Sequence, residues 1–248
     1  MRYFFEISYK GSSYHGWQSQ KNALGVQAVV EEKLHKLFRR EISIVGSGRT
    51  DTGVHCMQQY FHLDIDKELD YAETLQRLNS FLPSDIAIHS IRRVKDEAHA
   101  RYMATERTYE YRITQVKNPF THEFAYHYFR PLDVITMNRA ATLLVGEQDF
   151  QSFSKVKTDV NHFICDIRKA EWNQKGGLLV FTITANRFLR GMVRAIVGSL
   201  VDVGSGKTSL KSFQKIVSSK DRKQAGMNVP PEGLFLMNVK YPRSIFLD

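Results

Sequence analysis

The sequence predicts an α+β fold, because segments of alternating apolar and polar residues are interspersed with segments of helical periodicity. A period of two places apolar side chains on one face of a strand, whereas spacings of three and four place them on one face of a helix. The chain has 248 residues, enough for one large or two small domains with a full core. These observations favour two α/β halves.

The first half follows the order strand, helix, strand, strand, helix, strand. The residues from Arg2 to Tyr9 alternate and predict a strand, and one apolar face between Val26 and Phe38 predicts a helix. The remaining predicted elements are a short strand over 42–45, a strand over about 58–65, a helix over 71–81 and a strand over 86–93.

The second half continues with a similar alternation. Its predicted elements are a strand over 108–114, a helix over 134–145, strands over 164–172 and 178–185 joined by a turn at Lys175-Gly176-Gly177, a long apolar helix over 188–203 that carries Arg190 and Arg194, and a helix over 209–217. We place the join near 95–107 and assign the two lobes to residues 1–100 and 101–248.

The charge balance favours a polyanionic partner. The chain has 35 Lys and Arg against 26 Asp and Glu, a formal net charge of +9. A basic surface often serves solubility alone, but cations that recur among aromatic rings are typical of proteins that bind flipped or single-stranded RNA. Such cations include the runs Arg92-Arg93-x-Lys95, Lys155-x-Lys157 and Lys220-x-Arg222-Lys223. The alternative is that most of the rings fill the core.

The sequence indicates a soluble, cytoplasmic protein without a membrane anchor. No apolar run approaches the roughly 18 residues that a membrane-spanning helix needs, and Met1 leads straight into the first strand rather than into a targeting segment. The only cysteines are Cys56 and Cys165, too few for a zinc tetrad. We expect both to be reduced structural thiols.

One stretch concentrates chemistry, namely Gly46-Ser47-Gly48-Arg49-Thr50-Asp51-Thr52-Gly53-Val54-His55-Cys56. Its glycines allow tight turns and close approach by another molecule, although Gly/Asp/Thr clusters between strands are often only turns. The stretch lacks the Gly-Lys-Ser/Thr of a phosphate-binding loop, and no second Asp-Thr-Gly supplies an aspartic-protease pair. What remains is one carboxylate, Asp51, acting as nucleophile or base beside the cation of Arg49.

The segment Gly48-Arg49-Thr50-Asp51-x-Gly53-Val54-His55 resembles the signature loop of the TruA family of tRNA pseudouridine synthases, in which the aspartate is the catalytic nucleophile. Other segments resemble family motifs in family order: Tyr9-x-Gly11-x-x-Tyr14-x-Gly16-Trp17-Gln18, His99-Ala100-Arg101-Tyr102-x-Ala104, Tyr109-x-Tyr111, Gly146-Glu147-x-Asp149-Phe150-x-Ser152-Phe153 and Met192-Val193-Arg194-x-Ile196-Val197-Gly198. Two residues depart from the pattern: Thr52 stands where alanine is usual, and Cys56 where a small residue is usual.

The resemblance implies the pseudouridine synthase fold, in which two α/β lobes share a mostly antiparallel sheet and a basic active-site cleft lies between them. It also implies isomerisation of uridine to pseudouridine at positions 38, 39 and 40 of the tRNA anticodon arm, by a homodimer, after the target nucleotide has been flipped out of its stack. The reaction breaks the N1–C1′ bond and forms a C5–C1′ bond without redox change. We therefore expect no cofactor and no metal.

The resemblance and the residue chemistry together predict the site. We expect Asp51, Tyr109 and Arg194 to be catalytic: Tyr109 matches the family's active-site tyrosine, and Arg194 lies in an apolar helix where it needs a partner such as Asp51. The residues expected to bind substrate are Tyr109, Arg49, Arg101, His55, Phe188 and Arg190. Asp51 can attack C1′, add to C6 or abstract a sugar proton, and these routes stay open.

Two rival functions also stay open from the residues alone. One is a module that binds RNA without changing it. The other is a metal-dependent nuclease built on His62, Asp64 and Asp66, which alternate along one predicted strand. The solvent face of a strand normally carries such residues, and no fourth ligand is evident.

Overall fold

The computed structural model describes residues 1–20, 22–156 and 160–247, so Lys157 of the basic runs lies outside the described residues. Within these ranges the chain forms five α-helices and ten strands, which confirms the α+β class. In chain order they are β1 (Arg2–Tyr9), α1 (Val26–Phe38), β2 (Val45–Gly46), β3 (His55–Asp64), α2 (Tyr71–Phe81), β4 (Ile86–Val94), β5 (Glu106–Thr114), β6 (Tyr126–His127), α3 (Val134–Thr142), β7 (Gly146–Asp149), β8 (Ile164–Lys175), β9 (Leu178–Ala185), α4 (Met192–Gly204), α5 (Leu210–Ser219) and β10 (Leu234–Lys240).

Contacts divide the chain into two compact units. The first contains residues 1–105 together with the residues from 236 onward, and the second contains residues 106–235. The predicted join near 95–107, with lobes of residues 1–100 and 101–248, stays a prediction; the boundary between the two units falls after residue 105, and the residues from 236 onward group with the first unit. β10 therefore begins in the second unit and ends in the first.

In the first unit, β1 is the central partner of two antiparallel neighbours, β3 and β4. Phe5 of β1 lies opposite Phe61 of β3, and their rings stack with centroids 5.1 Å apart. Both rings are fully buried, as is Leu34 of α1. The alternating pattern of Arg2–Tyr9 and the helix over Val26–Phe38 are thus confirmed at their predicted bounds.

In the second unit, the strands pair in the order β5, β9, β8, β7, all antiparallel, and β6 adds in parallel to β5. The predicted turn between β8 and β9 is confirmed as a two-residue hairpin. Gly176 and Gly177 have φ values of +55° and +80°, and Lys175 pairs with Leu178. Positive φ at both central residues matches the right-handed twist of hairpin strands. The mostly antiparallel pairing that the family resemblance implies is confirmed.

The strand predicted over 42–45 is reduced to Val45–Gly46. Ile42 and Ile44 are buried as expected, but their backbone groups bond to side chains of α1 instead of a neighbouring strand. The ring of His35 lies 2.8 Å from the Ile42 carbonyl, and the Ile44 N–H donates to Glu31. Burial without strand pairing produces the same apolar pattern, so the pattern was misleading here.

The helix predicted over 188–203 begins later, at Met192, and ends at Gly204. Gly191 precedes it with a φ of +72°, a left-handed conformation that glycine adopts without strain. Phe188 and Arg190 therefore lie in the turn before α4, and only Arg194 is on the helix. The apolar residues Leu189 and Met192 continue the helical spacing across the turn, which explains the wrong start.

Three strands were not predicted at all, and one of them is the two-residue β6. β7 has the sequence Gly-Glu-Gln-Asp, which lacks apolar alternation, and β10 is largely apolar over its first residues. α3 ends at Thr142 rather than at Val145. Cys56 and Cys165 are buried and form no disulfide. Among the described residues, no helix is long and apolar enough to cross a membrane.

Candidate functional site

Asp51 lies on the loop between β2 and β3, and the segment 11–17 fixes that loop through its backbone. The Trp17 N–H donates to the carbonyl of Thr50 (3.3 Å), and the Gly53 N–H donates to the carbonyl of Tyr14 (3.2 Å). Within the loop, the Val54 N–H donates to the Asp51 carbonyl at 3.2 Å. The backbone is thus held on both sides of the carboxylate.

Two glycines of segment 11–17 make this close approach possible. A Cβ atom at Gly16 would lie 2.3 Å from the Thr50 carbonyl oxygen, and Gly16 has a φ of +85°. A Cβ atom at Gly11 would lie 2.0 Å from the Val54 carbonyl oxygen. The two motifs that resemble family signatures therefore meet backbone to backbone, and glycine is required where they touch.

Replacing Gly16 by alanine is expected to displace the Asp51 loop. The new methyl group would clash with rigid backbone, and alanine disfavours the left-handed conformation. We expect a fall in melting temperature together with a loss of activity, measured by thermal unfolding and turnover. Gly48→Ala is the matched stability control, because a Cβ atom there would meet nothing within 4 Å. Equal melting temperatures for Gly16→Ala and wild type would contradict the packing argument.

Buried polar residues also fix the Asp51 loop through hydrogen bonds in the interior. The hydroxyl groups of Tyr9 and Thr50 lie 2.8 Å apart in the interior, and Gln59 donates its side-chain N–H to the Tyr9 hydroxyl. His55 is only 2% exposed, and its Nδ1 accepts the Gly11 N–H at 3.1 Å. Nδ1 is therefore unprotonated, and this contact fixes the loop to segment 11–17. A contact of His55 with substrate stays a prediction.

The remaining loop residues differ in exposure. Asp51 is half-buried, whereas Arg49 and Thr52 are exposed. Cys56 is buried, and burial raises the pKa of its thiol well above the usual range. The thiol is thus a neutral packing group behind the loop. Asp51 is the loop carboxylate that combines a fixed backbone with partial access to solvent, which suits a reacting group.

In the second unit, two predicted site residues meet. The rings of Tyr109 on β5 and Phe188 in the turn before α4 lie edge to face, with centroids 5.1 Å apart and an interplanar angle of 87°. Both side chains are half-buried. Such edge-to-face packing fixes the orientation of the tyrosine ring. Arg190, in the same turn, is exposed, and its carbonyl accepts the Lys155 N–H at 3.0 Å.

Arg194 is half-buried on α4 and is oriented by the segment 226–229. Its Nε donates to the Val229 carbonyl at 2.7 Å, and the Val229 N–H donates to the Arg194 carbonyl at 3.3 Å. A Cβ atom at Gly198 would lie 1.9 Å from the Met227 carbonyl oxygen, so the segment lies directly on the helix. The guanidinium is thus anchored at Nε by the protein's own backbone.

The residues that hold segment 226–229 were not identified from the sequence. Arg222 donates to the carbonyls of Ala225 and Gly226 and to the side chain of Asn228, and the Gly226 N–H donates to Ser199. Arg222 was assigned only to a basic run. A glycine on one face of an apolar helix, Gly198, was the available signal for close backbone packing.

The three residues of the nuclease alternative have other partners. The Nδ1 atom of His62 accepts the Ala100 N–H at 3.2 Å. Asp64 forms an ion pair with Arg2, and Asp66 forms one with Arg40. Each carboxylate is thus bonded to an arginine of the protein, as is common on a strand surface.

The predicted site residues are divided between the two units. Asp51, Arg49, His55 and Arg101 belong to the first, and the second contains Tyr109, Phe188, Arg190 and Arg194. The structure brings together Tyr109 with Phe188, and the Asp51 loop with His55 and segment 11–17. Arg101 is exposed, beside the ring of Tyr102.

Comparisons with known proteins match almost the whole chain. A family model described as tRNA pseudouridine synthase matches residues 7–103 and 140–242. The tRNA pseudouridine synthase A of Bacteroides fragilis is 47% identical over 247 residues, covering 99% of this chain and 98% of that protein. Those of Porphyromonas gingivalis (45% over 250 residues, 99% of each chain) and Legionella pneumophila (37% over 249 residues, 100% of this chain and 95% of the other) are similar as well.

The matched ranges contain the Asp51 loop, segment 11–17 and the helix that carries Arg194, whereas Tyr109 lies between the two ranges. Identity above 40% over nearly full length extends to relatives from several bacteria. The chain therefore belongs to the tRNA pseudouridine synthase family of isomerases, which convert uridine to pseudouridine in tRNA.

Proposed function

We propose that this chain converts uridine to pseudouridine at positions 38, 39 and 40 of the tRNA anticodon arm, with Asp51 as the nucleophile. The observation that carries the proposal is the half-buried Asp51 on a loop whose backbone is bonded on both sides of it. A carboxylate held in this way keeps its orientation without reorganisation during the reaction.

The reaction requires one group that initiates cleavage of the N1–C1′ bond and a second group that later removes the proton from C5. Asp51 supplies the first group, by attack on C1′, by addition to C6 or by abstraction of a sugar proton. Tyr109, oriented by Phe188, stacks on the detached base and serves in the removal of the C5 proton. Arg194, anchored at Nε by Val229, orients the carboxylate and stabilises charge in the site.

The target uridine is stacked in a stem, so it must be flipped out at a cost of about a few kcal/mol. The family resemblance supports a basic cleft between two lobes that share one sheet as the receiving pocket. Arg49, Arg101 and Arg190 are exposed cations suited to its phosphates. His55 is buried and serves the same site by fixing the Asp51 loop to segment 11–17. The same resemblance supports a cytoplasmic homodimer in which the second subunit grips the far part of the tRNA.

Mapping of the product tests the assignment of positions. Purified enzyme is incubated with a tRNA transcript that has uridines at 38, 39 and 40, and pseudouridine is located by chemical modification and primer extension. We expect signals at these positions and none in a control transcript with cytidine there. Pseudouridine elsewhere in the tRNA, with none in the anticodon arm, would contradict the positional assignment while leaving the isomerase activity intact.

Binding of tRNA is expected to be dominated by phosphate contacts, because the chain has a formal net charge of +9. Affinity should fall with salt by roughly 0.7–0.9 log units per log unit of salt for each phosphate neutralised. Fluorescence titrations of labelled tRNA between low and moderate salt measure this slope. A flat response would count against a nucleic acid substrate.

A further inference from the structure

Tyr102 is a large aromatic residue that the structure leaves in solvent on a rigid support. Tyr102 is 75% exposed, close in sequence to the fully buried Ala100. The His99 ring packs against it, with ring centroids 4.3 Å apart and an interplanar angle of 32°. The tyrosine ring is therefore supported by an imidazole, and most of the residue remains accessible to solvent.

The turn that carries Tyr102 is fixed by its own backbone. The N–H groups of Arg101 and Tyr102 both donate to Nδ1 of His99, at 3.1 and 3.3 Å. The Met103 N–H donates to the His99 carbonyl at 3.0 Å. A single histidine thus acts as acceptor for two successive amides and as packing partner for the ring. This arrangement fixes the direction in which Tyr102 points.

Side chains of neighbouring elements also form hydrogen bonds with the backbone just before this turn. Nδ1 of His62 accepts the Ala100 N–H, the Tyr241 hydroxyl donates to the Ala100 carbonyl, and Arg2 donates to the Ala98 carbonyl at 2.9 Å. Burial lowers the pKa of His62 to about 4, and burial together with nearby arginines lowers that of His99. Both rings are therefore neutral at physiological pH and remain acceptors. Because the turn is already ordered, binding of a ligand costs little conformational entropy here.

The Arg101 guanidinium lies over the Tyr102 ring, 5.8 Å from its centre. A cation next to an exposed aromatic ring is the combination that binds an unstacked base and its phosphate. The backing histidine is uncharged, so the base-binding face and the phosphate-binding group are separate side chains.

We propose that the exposed ring of Tyr102 is a stacking platform for one unpaired base of the RNA substrate, with Arg101 contacting the adjacent phosphate. This inference rests on the proposed function, since it concerns how the same enzyme holds its tRNA. Stacking contacts only the aromatic face of the base, which all four bases have, so the platform accepts any base.

Tyr102→Ala and Arg101→Ala separate the two contributions. Loss of base stacking is expected to weaken tRNA binding about ten- to hundredfold, while the dependence of affinity on salt stays as in wild type, because stacking releases no counterion. Arg101→Ala is expected to reduce the salt slope by roughly 0.7–0.9 for the phosphate that it no longer neutralises. Tyr102→Phe keeps the ring and should bind within about threefold of wild type, a factor equivalent to under 1 kcal/mol.

Phe129→Ala is the matched control, because Phe129 is 73% exposed and has Arg130 beside its ring in the other unit. Wild-type affinity in Tyr102→Ala, or an equal loss in Phe129→Ala, would overturn the platform. Every variant is also assayed for pseudouridine formation and melting temperature. If the wild-type enzyme forms pseudouridine and Tyr102→Ala binds tRNA with wild-type affinity, only the platform is refuted. If the wild-type enzyme neither binds tRNA nor forms pseudouridine, the proposed function is refuted.

Discussion

Asp51→Asn is expected to abolish turnover while tRNA binding persists. The neutral amide has nearly the shape of the carboxylate but cannot act as a nucleophile or base. Affinity comes from many phosphate and stacking contacts, so the loss falls on the transition state and not on the ground state. Single-turnover assays and binding titrations of the same preparation measure the two effects separately. Asp51→Ala should behave in the same way.

Asp66→Asn is a suitable control for this experiment. Asp66 lies in the same unit and carries the same change, but its side chain is 87% exposed and forms an ion pair with the exposed Arg40. An exposed ion pair contributes about 0–1 kcal/mol, so activity and stability should be close to wild type. A wild-type rate in Asp51→Asn would refute the mechanism. Equal loss of binding and activity in a folded variant would indicate a structural loop.

Arg194→Ala is expected to lower kcat by about 10²- to 10³-fold, the effect typical of removing one preorganised group that stabilises charge in a site. The Nε atom of Arg194 donates to the Val229 carbonyl, and alanine removes this hydrogen bond together with the guanidinium. Because the guanidinium is proposed to act on the reacting carboxylate, KM for tRNA should change less than kcat. Steady-state kinetics with one tRNA substrate separate the two constants.

Arg77→Ala controls for the loss of a helical arginine. Arg77 is an exposed residue of α2 that pairs with Glu73 one turn away, and its removal should leave turnover within about twofold of wild type. Arg194→Lys should not restore full activity, because lysine has no Nε donor for Val229 at the same position. Normal kcat and a normal melting temperature in Arg194→Ala would remove Arg194 from the site.

Elements with a clear period were predictable from the sequence. β1, α1, α2 and β9 have the predicted bounds, because apolar residues face the core at regular spacing in each. The predictions are wrong where apolar residues are buried without belonging to a strand or helix. Ile42 and Ile44 are buried outside any strand, and the apolar residues before Met192 belong to a turn set by Gly191.

The candidate site was predictable in its chemistry but not in its supports. The Asp51 loop stands out because a carboxylate, an arginine and three glycines lie within one short stretch. Its contact with segment 11–17 depends on two distant glycines that touch backbone, which local patterns do not show. The support of Arg194 by Val229 likewise joins residues 35 positions apart. Irregular segments of this kind have no period from which their partners can be inferred.

Release of tritium from tRNA labelled at C5 of uridine tests the central claim most directly, because formation of the C5–C1′ bond expels that hydrogen. The wild-type enzyme should release tritium equivalent to the uridines modified, with the RNA strand intact and in the presence of EDTA. Asp51→Asn should release none while still binding the tRNA. Strand cleavage that EDTA prevents, or tRNA binding by wild type without any tritium release, would contradict the account.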